Sequence, residues 1–194
     1  MRSSYELNNY GLLFENYPLA WKYYNIVELG ILDGYSLLHL AKGVRSLHKF
    51  YGYNERKIDA YDLFDDYEFN HGNKEEVEEL LIYNCLSEYV NIIKGNAYEV
   101  YRDYEDKSIE LLHVDISNTG ETLNRVMELW SPKIKERGMI LFEGGSEERD
   151  NVEWMKSYNK PSIREELESN RIINKQYIYA TYCLFPSLTV LFKK

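Results

Sequence analysis

Glu28-Leu-Gly30-Ile-Leu-Asp-Gly34-Tyr-Ser36 decides the fold. Residues 25–29, which run into its start, form a short apolar run, read as a strand. Leu37, Leu40, Ala41 and Val44 just after it recur at helical spacing. The stretch is therefore a strand-to-helix turn. Gly30 lets the chain turn sharply off the strand, and Gly34 lets the backbone approach a ligand with no Cβ between. Ser36 is expected to cap the helix. The spacing E-x-G-x-x-x-G differs from the dinucleotide fingerprint G-x-G-x-x-G, and no Walker lysine follows.

The same alternation continues outward. Strands are expected over 57–63, 90–94, 109–116 and 139–142, with helices over 74–86, 97–104, 147–158 and 162–169. Leu123, Val126, Met127 and Trp130 mark one more helix face, and Gly138 is expected to end that region. Residues 177–185 and 188–192 are β-rich runs separated only by Pro186-Ser187, which suits an antiparallel hairpin and leaves no room for a crossover helix. The expected fold is α/β: a doubly wound, mostly parallel seven-stranded sheet with a C-terminal antiparallel hairpin. One domain is expected over 1–194, with 1–24 as a helical lid segment.

Side chains at the strand ends suggest chemistry. Asp62 closes the second strand, where a doubly wound fold places an acid for ribose hydroxyls, and a carboxylate can accept both bonds of a diol. Asn96 follows the third strand, where an amide could read an adenine edge. Taken singly, two loop glycines are turn chemistry and Asp62 is a solvated acid. Their order at successive strand ends points to a cofactor site.

Glu28-x-Gly30-x-x-x-Gly34-x-Ser36, Asp62-Leu-Phe64, Gly95-Asn96-Ala97, Leu112-His-Val-Asp115 and Gly138-Met-Ile-Leu-Phe142-Glu143 together resemble the successive motifs of class I S-adenosylmethionine methyltransferases. The nearest likeness is to sugar and antibiotic O-methyltransferases of the macrocin type, from about residue 25 to the end. The resemblance implies S-adenosylmethionine held by Glu28, Gly30, Gly34, Ser36, Asp62, Asn96 and Asp115. In that family the fourth strand ends in an Asp-Gly-Asp-His-like run and the fifth in paired Asp, which hold a divalent metal. Here those ends read Asp115-Ile-Ser117-Asn118 and Glu143-Gly144. Asp115 and Glu143 remain as candidate catalytic acids and as ligands for Mg2+, which keeps several waters. The same acids can equally cap helices or bind substrate without metal. Glu121, Glu147, Glu148 or Asp150 could supply a missing acid, although charge at a helix start explains the last three as well. Asn118 cannot act as a base. His113 is expected in the core, and His39, His48 and His71 at the surface or in packing.

Composition excludes other classes. The net charge is −9 and no Lys/Arg cluster occurs, which disfavours nucleic acid. No basic amphipathic stretch suits a membrane surface, and the polar first ten residues lack a signal-peptide layout, so a cytoplasmic location is expected. Cys85 and Cys183 lie far apart in apolar surroundings and are expected as buried thiols. The expected partner is a small hydroxylated substrate, a sugar for example, with Tyr10, Phe14, Tyr17 and Trp21 either lining its mouth or packing the lid helix. Self-association stays open. The alternative reading is a methyltransferase-fold protein that binds cofactor or a partner without turnover. An NAD-dependent oxidoreductase is disfavoured by the loop spacing and the terminal hairpin.

Overall fold

The computed structural model describes residues 3–52, 55–68, 71–157 and 159–194. The chain divides into two compact units, Met1–Ala97 and Tyr98–Lys194.

In the first unit, β1 (Ile26–Leu29), β2 (Ile58–Asp62) and β3 (Val90–Lys94) pair in parallel in the order β3-β2-β1. All four β1 residues are buried, as in a strand covered on both faces. Helix α1 (Gly11–Trp21) packs on α2 (Tyr35–Tyr51). Leu37, Leu40, Ala41, Val44 and Leu47 form the buried stripe of α2. The two helices approach closely at Gly43, where a Cβ would collide with the Glu15 carbonyl oxygen. Helix α3 (Lys74–Tyr83) begins at Asn73, whose side chain accepts from the Glu76 amide. Its expected extension to 86 stops earlier, because Cys85 takes a left-handed turn with φ 56°. Cys85 is therefore exposed, as is Cys183, which corrects the expectation of buried thiols.

In the second unit the order is β4-β5-β7-β6. Strands β4 (Ile109–Val114) and β5 (Ile134–Glu143) are parallel. Strand β7 (Leu188–Lys193) runs antiparallel to β5, and β6 (Tyr177–Tyr182) antiparallel to β7, giving the expected hairpin. Strand β5 begins five residues before the expected 139. Its early residues are polar, and the β4–β5 register slips between Ile109 and Leu111, so apolar patterning does not reveal it. Gly138 lies inside this strand, contrary to the expected stop. Helix α4 (Gly120–Trp130) buries Leu123, Val126, Met127 and Trp130, and Thr119 caps it through the Thr122 amide.

Between β5 and β6 lie α5 (Glu147–Asp150), α6 (Glu153–Ser157), α7 (Ile163–Ser169) and α8 (Arg171–Gln176). The single helix expected over 147–158 is thus two short ones, and its last residue, Tyr158, lies outside the described residues. Ser162 and Glu165 form the capping box that starts α7. The helix expected over 97–104 is only a 3-10 turn, Val100–Asp103. Seven strands, parallel except for β7, with intervening helices make an α/β Rossmann-like fold.

Candidate functional site

The loop between β1 and α2 is set by backbone geometry. Gly30 (φ 90°) and Gly34 (φ 78°) take left-handed conformations that L side chains rarely adopt. A Cβ on Gly34 would come within 3.0 Å of Val77 Cγ1, so its immediate neighbour is α3 packing. Leu32 is also left-handed, at φ 49°. Two acids hold this turn. Asp62 Oδ2 accepts from the amides of Ile31 (2.7 Å) and Leu32 (3.3 Å), and its Oδ1 accepts from Phe64 N at 2.9 Å. Asp33 accepts from the Tyr35 amide at 3.2 Å and from Ser3 N at 2.6 Å. Asp33 thus satisfies the helix start and ties the N-terminal segment to the loop.

Ser36 does not cap α2, because Gly34 holds the cap position. Its hydroxyl instead donates to Glu28 Oε1 at 2.5 Å. Glu28 is wholly buried at β1, where a polar side chain needs a hydrogen-bond partner. Gly95 N donates to the Asp62 carbonyl at 2.9 Å, which brings half-buried Asn96 to the same end of the strands as Asp62. Beside the loop, a cavity of about 710 Å3 is lined by Leu32, Asp33, Phe64, His71, Val77 and Lys94 among others. Lys94 is held by Asp65 (2.6 Å) and Asp66 (2.8 Å). The first unit therefore gathers Glu28, Gly30, Gly34, Ser36, Asp62 and Asn96 around one turn. Asp33 is the member that sequence reasoning missed, and its position inside the G-x-x-x-G loop was the available signal.

Over this unit lies α1. Tyr10 and Phe14 are buried against Tyr5, with ring centroids 5.6 and 4.9 Å away. They pack the helix and do not line a mouth. Trp21 is exposed and stacks on Tyr23. His39 pairs with Glu15 at 3.2 Å, yet burial holds its pKa below the ordinary value against the pull of that carboxylate. His48 is buried between Tyr24 and Tyr89, and burial lowers its pKa too.

In the second unit, the register Val114↔Phe142 puts Asp115 and Glu143 at neighbouring strand ends. Asp115 is half-buried on the loop and Glu143 is buried. His113 is wholly buried in β4, as expected. The neighbourhood carries a cation of its own. Arg149 Nη2 lies 3.5 Å from Glu143 Oε1, and both residues are buried. Glu121 pairs with Lys160 at 2.7 Å and Glu147 with Arg164 at 3.3 Å, both at the surface. Burial raises the pKa of Asp150, against the Arg164 charge. Among the described residues no three His, Cys, Asp or Glu side chains gather where they could hold a metal ion. Arg149 was missed in the sequence. Its signal was a lone base among the acids of Glu147–Asp150, one turn past the fifth strand.

A sequence profile for a family described as "methyltransferase domain" matches residues 27–143, from the middle of β1 to the end of β5. No curated protein matches the sequence. Among solved structures, an O-methyltransferase from Bacillus cereus in complex with S-adenosylhomocysteine superposes with a TM-score of 0.70 at 12% identity, over 96% of this chain and 81% of that one. A methyltransferase from Podospora anserina, also bound to S-adenosylhomocysteine, gives 0.70 at 14% identity, over 100% and 80%. An O-methyltransferase of tomaymycin synthesis from Streptomyces achromogenes, in complex with S-adenosylmethionine, gives 0.66 at 11%, over 96% and 80%. At such identities the likeness is one of fold. The profile, which spans more than half of the chain and the C-terminal ends of β1 to β5, identifies the chain as a member of the methyltransferase domain family.

Proposed function

We propose that the chain is an S-adenosylmethionine-dependent O-methyltransferase acting on a small hydroxylated molecule such as a sugar, of the macrocin type. The observation that carries this reading is the left-handed turn Gly30–Gly34, locked by Asp62 and seated on the buried Glu28–Ser36 pair. The donor set suits the cofactor. Asp62 keeps one acceptor position beyond the three filled by backbone amides, enough for a single ribose hydroxyl, and the Asn96 amide sits at the adjoining strand end. Glu28, Gly30, Gly34, Ser36, Asp62 and Asn96 would hold the cofactor.

When bound, S-adenosylmethionine supplies an activated methyl whose sulfur keeps the bonding electron pair on transfer. The chain's task is then to align the acceptor and take its hydroxyl proton. Asp115, half-buried at the end of β4, would take that proton as the O–H bond breaks and the O–CH3 bond forms. Glu143 would orient the acceptor from the end of β5.

The acidic chain disfavours a polyanionic acceptor, which leaves a small molecule as the proposed partner. Among the described residues no helix is long and apolar enough to cross a membrane. The test is methyl transfer from labelled cofactor to saccharides, sugar nucleotides, catechols, nucleic acid and peptides. Label in a hydroxylated small molecule is expected. Label only in nucleic acid or peptide would contradict the reading. A second reading, cofactor binding without turnover, is favoured by the Glu143–Arg149 pair, and would show as affinity with no labelled product.

A further inference from the structure

The resemblance implies a divalent ion between the acids that end β4 and β5, and the residues there do not fit one. Glu143 is 4% exposed, and the guanidinium paired with its Oε1 belongs to Arg149, 8% exposed. Arginine stays charged at any working pH, so a dication at this carboxylate would face a fixed positive charge. The guanidinium is also boxed in. Its carbon lies 5.5 Å from the Phe185 ring centroid, and Arg149 Cγ packs 3.9 Å from where a Gly144 Cβ would stand. The Arg149 amide donates to Ser146 Oγ at 3.1 Å, anchoring the turn that carries it. The end of β4 offers a single carboxylate, Asp115. Asn118 stands nearby with a neutral amide, its Nδ2 buried without a hydrogen-bond partner.

We propose that Arg149 stands in for the metal. It is a positioning residue: its guanidinium supplies the positive charge at the end of β5, holds Glu143 in place, and keeps divalent cations from that carboxylate. Methyl transfer at this site is then independent of metal, and the acceptor proton goes to a carboxylate and not to a metal-bound hydroxide.

The proposal rests on the methyltransferase reading, and the experiment separates the two. Mn2+ is titrated into the purified full chain, with free ion read by paramagnetic resonance, for wild type, Glu143→Gln, Arg149→Lys and Arg149→Asp. Melting curves confirm that each variant is folded. Wild type and Arg149→Lys are expected to show no Mn2+ binding that depends on Glu143, and Arg149→Asp to bind at least tenfold more tightly than wild type. Saturable binding by wild type that Glu143→Gln weakens tenfold or more would overturn the proposal. So would a folded Arg149→Asp with no gain. If Arg149→Asp does not fold, the comparison of wild type with Glu143→Gln still decides. A parallel titration with S-adenosylhomocysteine reads the methyltransferase assignment alone, since its failure leaves the Mn2+ result standing.

Discussion

Ser36 holds a carboxylate, that of Glu28, in a place water does not reach. Removing the hydroxyl leaves a buried carboxyl oxygen without that donor, so Ser36→Ala should lower stability by about 1–3 kcal/mol. Urea unfolding checks this, and an unchanged midpoint would mean the pair carries no energy. Asp62 is different, because its carboxylate fixes the loop through the Ile31 and Leu32 amides, and its own turn through that of Phe64, before any ligand arrives. The sequence shows which residues meet at this turn, since strand order places them there. It does not show that Ser36 would serve Glu28, for the helix-start signal of a serine is the same whether it caps or reaches back. Arg149 was hidden for a related reason. Helix-start charge explains its acidic neighbours, and nothing in the pattern marks the one base that folds back onto Glu143.

Helix α1 sits on α2 at a distance that only a glycine allows. In Gly43→Ala the new methyl meets the Glu15 carbonyl, a backbone atom that cannot rotate away. Overpacking of this kind costs about 1–3 kcal/mol, which should appear as a lower melting temperature. The same helix pair carries a pH dependence. His39 and His48 have pKa values lowered chiefly by burial, so the unfolded chain binds their protons first as acid is added. Stability should be full above the ordinary histidine value near 6.5 and fall as pH drops below it. Melting curves between pH 8 and 5 should show this slope, and His48→Phe, which keeps the stacking, should flatten it. An equal slope in that variant would remove His48 from the account. The apolar run located β3 to the residue, and helical periodicity found the buried stripes of α2 and α4, because those two helices bury one uninterrupted face. It failed at β5, whose first half is polar and bulged, and at the chain after it, where Ser146, Ser162 and Asn170 start short helices in quick succession.

Across the whole molecule, charge decides which partners are plausible. A chain of net charge −9 repels polyanions, so duplex DNA or RNA should not bind detectably in a mobility assay at moderate salt. The hairpin at the C-terminus and the ordered strand ends were legible because they follow from chain order alone. The ion pair at the end of β5 was not, since it depends on where one arginine turns. The central claim is that the turn from Gly30 to Gly34, held by Asp62, binds S-adenosylmethionine. Titration calorimetry of the full chain with S-adenosylmethionine and S-adenosylhomocysteine, for wild type and Asp62→Ala, tests it most directly. The account predicts one site per chain in wild type and a loss of about 1–3 kcal/mol in the variant, the scale of hydrogen bonds to a charged group. No heat of binding for either compound in wild type, or equal affinity in both proteins, would contradict it.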